Sequence, residues 1–254
     1  MDTETFSEAK ALSEKIAAAY GTPLFYREQR DQIDASFRLM ENHPAVRACI
    51  EILIEKANVS GHGLSHARKV AIDAGAIILI EGRSSGGEED LKRQASLAHV
   101  AGILHDIKRS SKDHARQGAE AAGDILTRFD LTDTERETVV GAIRNHEAFQ
   151  TCMPLADPGA QLLSDALYDA DKFRWGPDNF TEMLWDIADT RDISMQTLLS
   201  YFPSGLHSLK KIRETFRTAT GRKYGPGFID LGLKIGDTLR TELKKRYLRP
   251  TVNK

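Results

Sequence analysis

A chain of 254 residues with 41% hydrophobic and 28% charged side chains has ordinary globular composition, and its longest strongly apolar run, Ala74 to Ile80, is far short of the roughly 20 residues a membrane helix needs. Two cysteines, Cys49 and Cys152, give neither a disulfide framework nor a zinc-type spacing, and the acidic N-terminus MDTETFSEAK has no apolar signal core, so a cytoplasmic setting is expected. The net charge of −2 hides an asymmetry: from Gly205 on, 13 Lys/Arg stand against 4 Asp/Glu, a net +9, leaving 22 against 33 upstream, a net −11. That pattern reads either as a basic helical face docked on an acidic body or as a surface attracting a phosphorylated substrate or nucleic acid; no interleaved aromatics support nucleic acid.

Hydrophobic spacing is helical almost throughout, with no convincing alternating strand, so the expected fold class is all-α. In chain order the spacing predicts helices over 4–20, 24–40, 44–57, 62–81, 88–106, 112–129, 133–147, 158–173, 178–190, 194–201, 205–219 and 226–248. Thr132 followed by Glu135 has the form of a capping box before the helix at 133–147. Asp157 with Pro158 fits an N-cap and a first-turn proline before the helix at 158–173. GRSSGG at 82–87 reads as a flexible connection and TGRKYGPG at 220–227 as a Gly/Pro-rich turn. With no internal repeats, the chain is expected to form a single all-α domain over 1–254, its helical core near 44–175 and its ends packed around that core.

The segment AHVAGILHDIKR (98–109) is apolar on nearly every side, yet it carries His105-Asp106. An imidazole and a carboxylate are costly to bury without a partner, and a metal ion suits both. Side chains three, four, seven and eight residues apart share a helix face. On that basis His66 lies on a stripe with Val70, Ala74 and Ile77; His114 with Gly118, Ala121, Ala122 and Ile125; His146 with Ile143, Ala142 and Val139; and His105 with Ala98 and Ala101. In DPGAQLLSDALYDADKF, Asp165 and Asp169 share a face with Lys172 that reads as solvated, whereas Asp171 sits beside Ala160, Leu163 and Leu167. Asp171 is therefore the expected inward carboxylate, and an irregular helix end would bring in Asp169 instead. His43 and His207 read as surface residues. His99 reads as core or as support for the site, and His62 as a helix cap or a substrate contact.

The order His66, His105-Asp106, Asp171 resembles the HD-domain superfamily of metal-dependent phosphohydrolases, whose pattern is H…HD…D on a bundle of helices. The local text HxxxHARKV, ILHDI and DADKF carries the resemblance, which covers roughly residues 45–175. It implies an HD-domain core with N-terminal (1–44) and C-terminal (176–254) helical extensions. It also implies His66, His105, Asp106 and Asp171 as metal ligands. His114 and His146 match the two histidines that binuclear members insert, in which case Asp106 bridges two ions.

Imidazoles and carboxylates together suit Mn, Fe, Co, Ni, Zn or Mg, as one or two divalent ions. Such a centre activates water and polarises a phosphoryl oxygen. Phosphate ester hydrolysis needs added positive charge at the phosphoryl group, and Lys108 and Arg109, directly after the HD pair, are placed to supply it. Lys172 and Arg174 are further candidates and Arg222 and Lys223 weaker ones; each reads equally as a solvated helix-end cation. The expected function is a metal-dependent phosphohydrolase, with Asp106, Lys108 and Arg109 as catalytic residues, acting on a phosphate ester or anhydride of a small metabolite or nucleotide. A di-iron oxygenase of the HD type and a non-catalytic, metal-stabilised ligand-binding or regulatory module are the alternatives.

Overall fold

A computed structural model describes residues 1–56, 62–82 and 87–248. The side chain of His62 and residues 83–86 of the predicted connection lie outside what is described. The described residues form twelve α-helices and no strand: α1 (Thr3–Tyr20), α2 (Leu24–Glu28), α3 (Arg30–Asn42), α4 (Pro44–Lys56), α5 (His62–Glu81), α6 (Glu88–Leu104), α7 (His114–Leu126), α8 (Asp133–Arg144), α9 (Pro158–Phe173), α10 (Leu184–Thr190), α11 (Met195–Ile212) and α12 (Ala219–Tyr247), with a π-helical turn at Asn179–Met183. Among the described residues no helix is long and apolar enough to cross a membrane.

The helix starts follow local chemistry. Thr132 accepts from the Glu135 amide while the Glu135 carboxylate accepts from Thr132, the expected capping box. Asp157 accepts from the amides of Gly159 and Ala160 ahead of Pro158. Gly21 ends α1 at φ 84°, a backbone setting that favours glycine.

α5 packs most extensively on α6 and also touches α9 and α3, while α8 lies against α9, α7 and α6. The α5–α6 contact is close enough that a Cβ on Gly102 would lie 2.5 Å from the Ala71 Cα. α9 is buried nearly all round from Leu163 onward, so it forms the centre of the bundle. Buried apolar residues from Ala9 to Leu243 make one contiguous core.

Among the predicted boundaries that change, three alter the packing. The helix expected over 24–40 breaks at Gln29, which turns Phe25 onto Phe173, Tyr224 and Phe228 and brings Tyr26 to Asp73. The two helices expected over 194–201 and 205–219 are one helix, α11, with Pro203 inside it. The missing bond at Pro203 is outweighed by an unbroken buried stripe of Leu198, Phe202, Leu206 and Leu209. The turn expected at 220–227 is instead the start of α12. Two of its three glycines serve close approach rather than turning: a Cβ at Gly221 would overlap the Asp169 carboxylate, and one at Gly225 the Phe216 ring.

Candidate metal centre

Helix ends gather the candidate donors. His66 sits one turn into α5, His105 caps the C-terminus of α6 and is followed by Asp106, and Asp171 lies in the last turn of α9. His146 follows the C-cap of α8 and His114 opens α7. The stripes behind them are buried as expected: Val70, Ala74 and Ile77 behind His66, and Val139, Ala142 and Ile143 behind His146.

The donors form two groups joined at Asp106. In the first, His66 Nε2 is 3.2 Å from His105 Nε2, 3.3 Å from Asp171 Oδ1 and 3.9 Å from Asp106 Oδ2. His105 Nε2 is 3.5 Å from Asp106 Oδ2 and 3.7 Å from Asp171 Oδ1. In the second group the other oxygen, Asp106 Oδ1, lies 3.5 Å from His146 Nε2 and 3.8 Å from His114 Nε2. The sets His66–His105–Asp171 and His105–Asp106–His146 are each compact enough to hold an ion. His114 stands at the edge of the cluster, half-buried, and its Nε2 accepts from Arg109 at 3.2 Å.

The rings are oriented from behind. His105 Nδ1 donates to the Gly102 carbonyl at 2.8 Å, and His146 Nδ1 donates to the Ile143 carbonyl at 2.6 Å. Each bond fixes the tautomer and leaves the Nε2 lone pair facing inward. Burial pushes His105 down to about 4, so its imidazole is neutral near neutral pH. Burial works to raise Asp106, but its polar and charged neighbours, Arg109 at 3.6 Å among them, outweigh it and hold the carboxylate well below its usual range. Burial likewise opposes ionisation of Asp171, and the Lys172 ammonium overrides it.

The donor chemistry fits a divalent cation. Asp106 Oδ1 and His146 Nε2 are buried without any hydrogen-bond partner, and they face each other as two lone-pair atoms. That arrangement is repulsive unless a positive charge lies between them. Neutral imidazoles, two carboxylates and a dry wall suit the borderline divalent metals.

The neighbouring charges differ from expectation. The face of α9 expected to be solvated is buried: Asp169 is fully enclosed and accepts from the amides of Arg217 and Thr218 and from the Thr218 hydroxyl, each at 2.8 Å. Lys172 is buried and donates to Asp171. Arg174 is buried too, ion-paired with Asp73 and with Asp178 at 2.6 Å. Neither is a solvated helix-end cation: Lys172 turns to the His146 carbonyl, and Arg174 to Tyr26 of α2 and Asp73 of α5. Among the described cations Arg109 reaches the cluster from the open side, 3.6 Å from Asp106 Oδ1. Lys108 is exposed and is not paired with the cluster, and Lys223 pairs with Glu28.

His99 is a core residue, bonded through Nε2 to the Ser36 hydroxyl at 2.8 Å. His207 is exposed as expected, whereas His43 is half-buried at the end of α3. Sequence reasoning passed over Asn145, whose side chain holds Met153 by two bonds, at 2.8 and 3.0 Å, and so fixes the chain around His146. It also passed over Asp73, although the seven-residue spacing from His66 places it on the same stripe. No family model matches the chain, and no solved structure matches it.

Proposed function

We propose that this protein is a metal-dependent phosphohydrolase built on an HD-domain bundle, acting on a phosphate ester or anhydride of a small metabolite or nucleotide. The observation that carries the reading is the divided Asp106 carboxylate, one oxygen toward His66 and His105 and the other toward His146 and His114. His66, His105, Asp106 and Asp171 are the residues that would hold one divalent ion, and Asp106, His114 and His146 a second. Bound there, such ions lower the pKa of a water and polarise a phosphoryl oxygen.

The chain's own part is binding and orientation. The Gly102 and Ile143 carbonyls keep the His105 and His146 rings turned inward. Arg109, on the open edge, offers a planar guanidinium to phosphoryl oxygens, and it already contacts His114 and Asp106. The buried faces of α5, α6 and α9 exclude water from the inner side, so the reacting group enters from the Arg109 side.

Metal analysis of the purified protein, followed by phosphate release from a panel of phosphorylated metabolites and nucleotides, tests the reading. Phosphate release that depends on added divalent metal and disappears in Asp106→Ala is the expected outcome. Metal-loaded protein that consumes oxygen through an iron centre without releasing phosphate would move the reading to an oxygenase. Metal-dependent nucleotide binding without turnover would move it to a regulatory module.

A further inference from the structure

The geometry points to Lys172 as a positioning residue that confines Asp171 to a single donor oxygen, an inference that rests on the metal-centre reading above. Lys172 follows Asp171 directly on α9, yet the residue is only 3% exposed. Its ammonium donates to Asp171 Oδ2 at 2.5 Å and to the His146 carbonyl at 3.0 Å, and it lies 5.0 Å from the centroid of the Tyr168 ring. A lysine ammonium has three donors. One carboxylate oxygen and one carbonyl take two of them, and the rings of Tyr168 and Trp175 lie beside the ammonium, the latter at 6.0 Å.

Two things follow. Asp171 Oδ1 is the oxygen left to face His66 and His105. A carboxylate so restrained leaves open a position that a chelating carboxylate would fill, and a hydrolytic centre needs such positions for water and substrate. The same ammonium also ties the carboxylate of one donor group to the backbone of His146 in the other. A buried cation beside a donor group weakens that group's hold on a second cation. Removing the charge therefore raises metal affinity, whereas damage to the scaffold lowers it.

The test is a Co²⁺ titration of metal-stripped, full-length protein, followed by visible absorption and equilibrium dialysis. Lys172→Met keeps the length and the apolar stem but removes the charge and the donors. It is expected to bind the first Co²⁺ about tenfold more tightly than the parent protein, with the weaker visible band of higher-coordinate cobalt as Asp171 closes with both oxygens. Circular dichroism checks that the variant is folded. An unchanged band and affinity, or weaker binding by the folded variant, overturns the inference. Should Lys172→Met fail to fold, Lys172→Gln carries the test: a retained amide donor with no charge should give tighter binding and the parent band, and weaker binding overturns the inference. A parent protein that takes up no cobalt overturns the metal-centre reading and this inference together. Failure in the variants alone leaves the metal-centre reading standing.

Discussion

Asp169 and Asp171 stand two residues apart on one buried helix, and exchanging each for alanine should produce opposite phenotypes. Asp169 accepts three hydrogen bonds, from the Arg217 and Thr218 amides and the Thr218 hydroxyl. Burial pushes its carboxyl up to about 6, so measurements above neutral pH address the ionised form. Asp169→Ala strands two buried amides, since the hydroxyl alone can turn elsewhere; at roughly 1.5–3 kcal/mol for each charge-assisted bond, the loss is about 3–5 kcal/mol. For a chain of this size about 1 kcal/mol shifts the melting temperature by roughly 2–4 °C, so a fall on the order of 10 °C is expected. The metal content of the folded variant should stay at the parent level. Asp171→Ala removes the oxygen 3.3 Å from His66 and should strip metal, with a thermal change of its own because the buried Lys172 ammonium loses its partner. Calorimetry combined with plasma mass spectrometry of dialysed, metal-loaded protein reads both quantities. Loss of metal in Asp169→Ala with retention in Asp171→Ala would refute the assignment of roles on α9.

Asp106→Ala should remove metal from both donor groups, whereas His146→Ala or His114→Ala should lower a stoichiometry of two to about one; an unchanged stoichiometry in both histidine variants would mean that one ion is bound. Gly102→Ala places a Cβ against the Ala71 backbone, at 2.5 Å in the parent geometry, and should cost about 1–3 kcal/mol in denaturant unfolding. Because His66 and His105 ride on the two helices so separated, the same variant should also hold metal less tightly. His99 supplies a pH signature: burial drops its imidazole from 6.5 to about 3, so its contribution to stability is present above about 6.5 and is lost as pH falls toward 3. The shift corresponds to about 5 kcal/mol. A pH series of urea titrations should show a shallower slope over that range in His99→Gln, and an equal slope would remove His99 from the account.

The helical period is a local property, which is why the faces carrying His66, His105, His146 and Asp171 were legible in the sequence. Capping at Thr132 and Asp157 was legible for the same reason, since each cap closes within three residues. What escaped depends on segments far apart in the chain. Lys172 and Asp169 read as solvated because nothing near them in sequence announces that residues 217–221 cover that face of α9. Arg174 read as a free cation because its partners Tyr26 and Asp73 lie 148 and 101 residues away. Pro226 with Gly221, Gly225 and Gly227 read as a turn, whereas two of those glycines answer a steric demand made by Asp169 and Phe216. His114 opens α7 and its ring meets the Arg109 side chain, a contact that helix periodicity does not address.

The inward-facing lone pairs of Asp106 and His146 carry a consequence for how sturdy the bundle can be. Two buried polar atoms without hydrogen bonds detract from the stability of the metal-free fold by about 1–3 kcal/mol each. Apolar side chains of similar volume at Asp106, His146 and their neighbours would give a more stable and inert bundle. The centre of this protein is thus held away from its thermodynamic optimum by residues suited to hold a cation. Any stabilised variant that reached its gain through these positions would have exchanged candidate metal donors for rigidity.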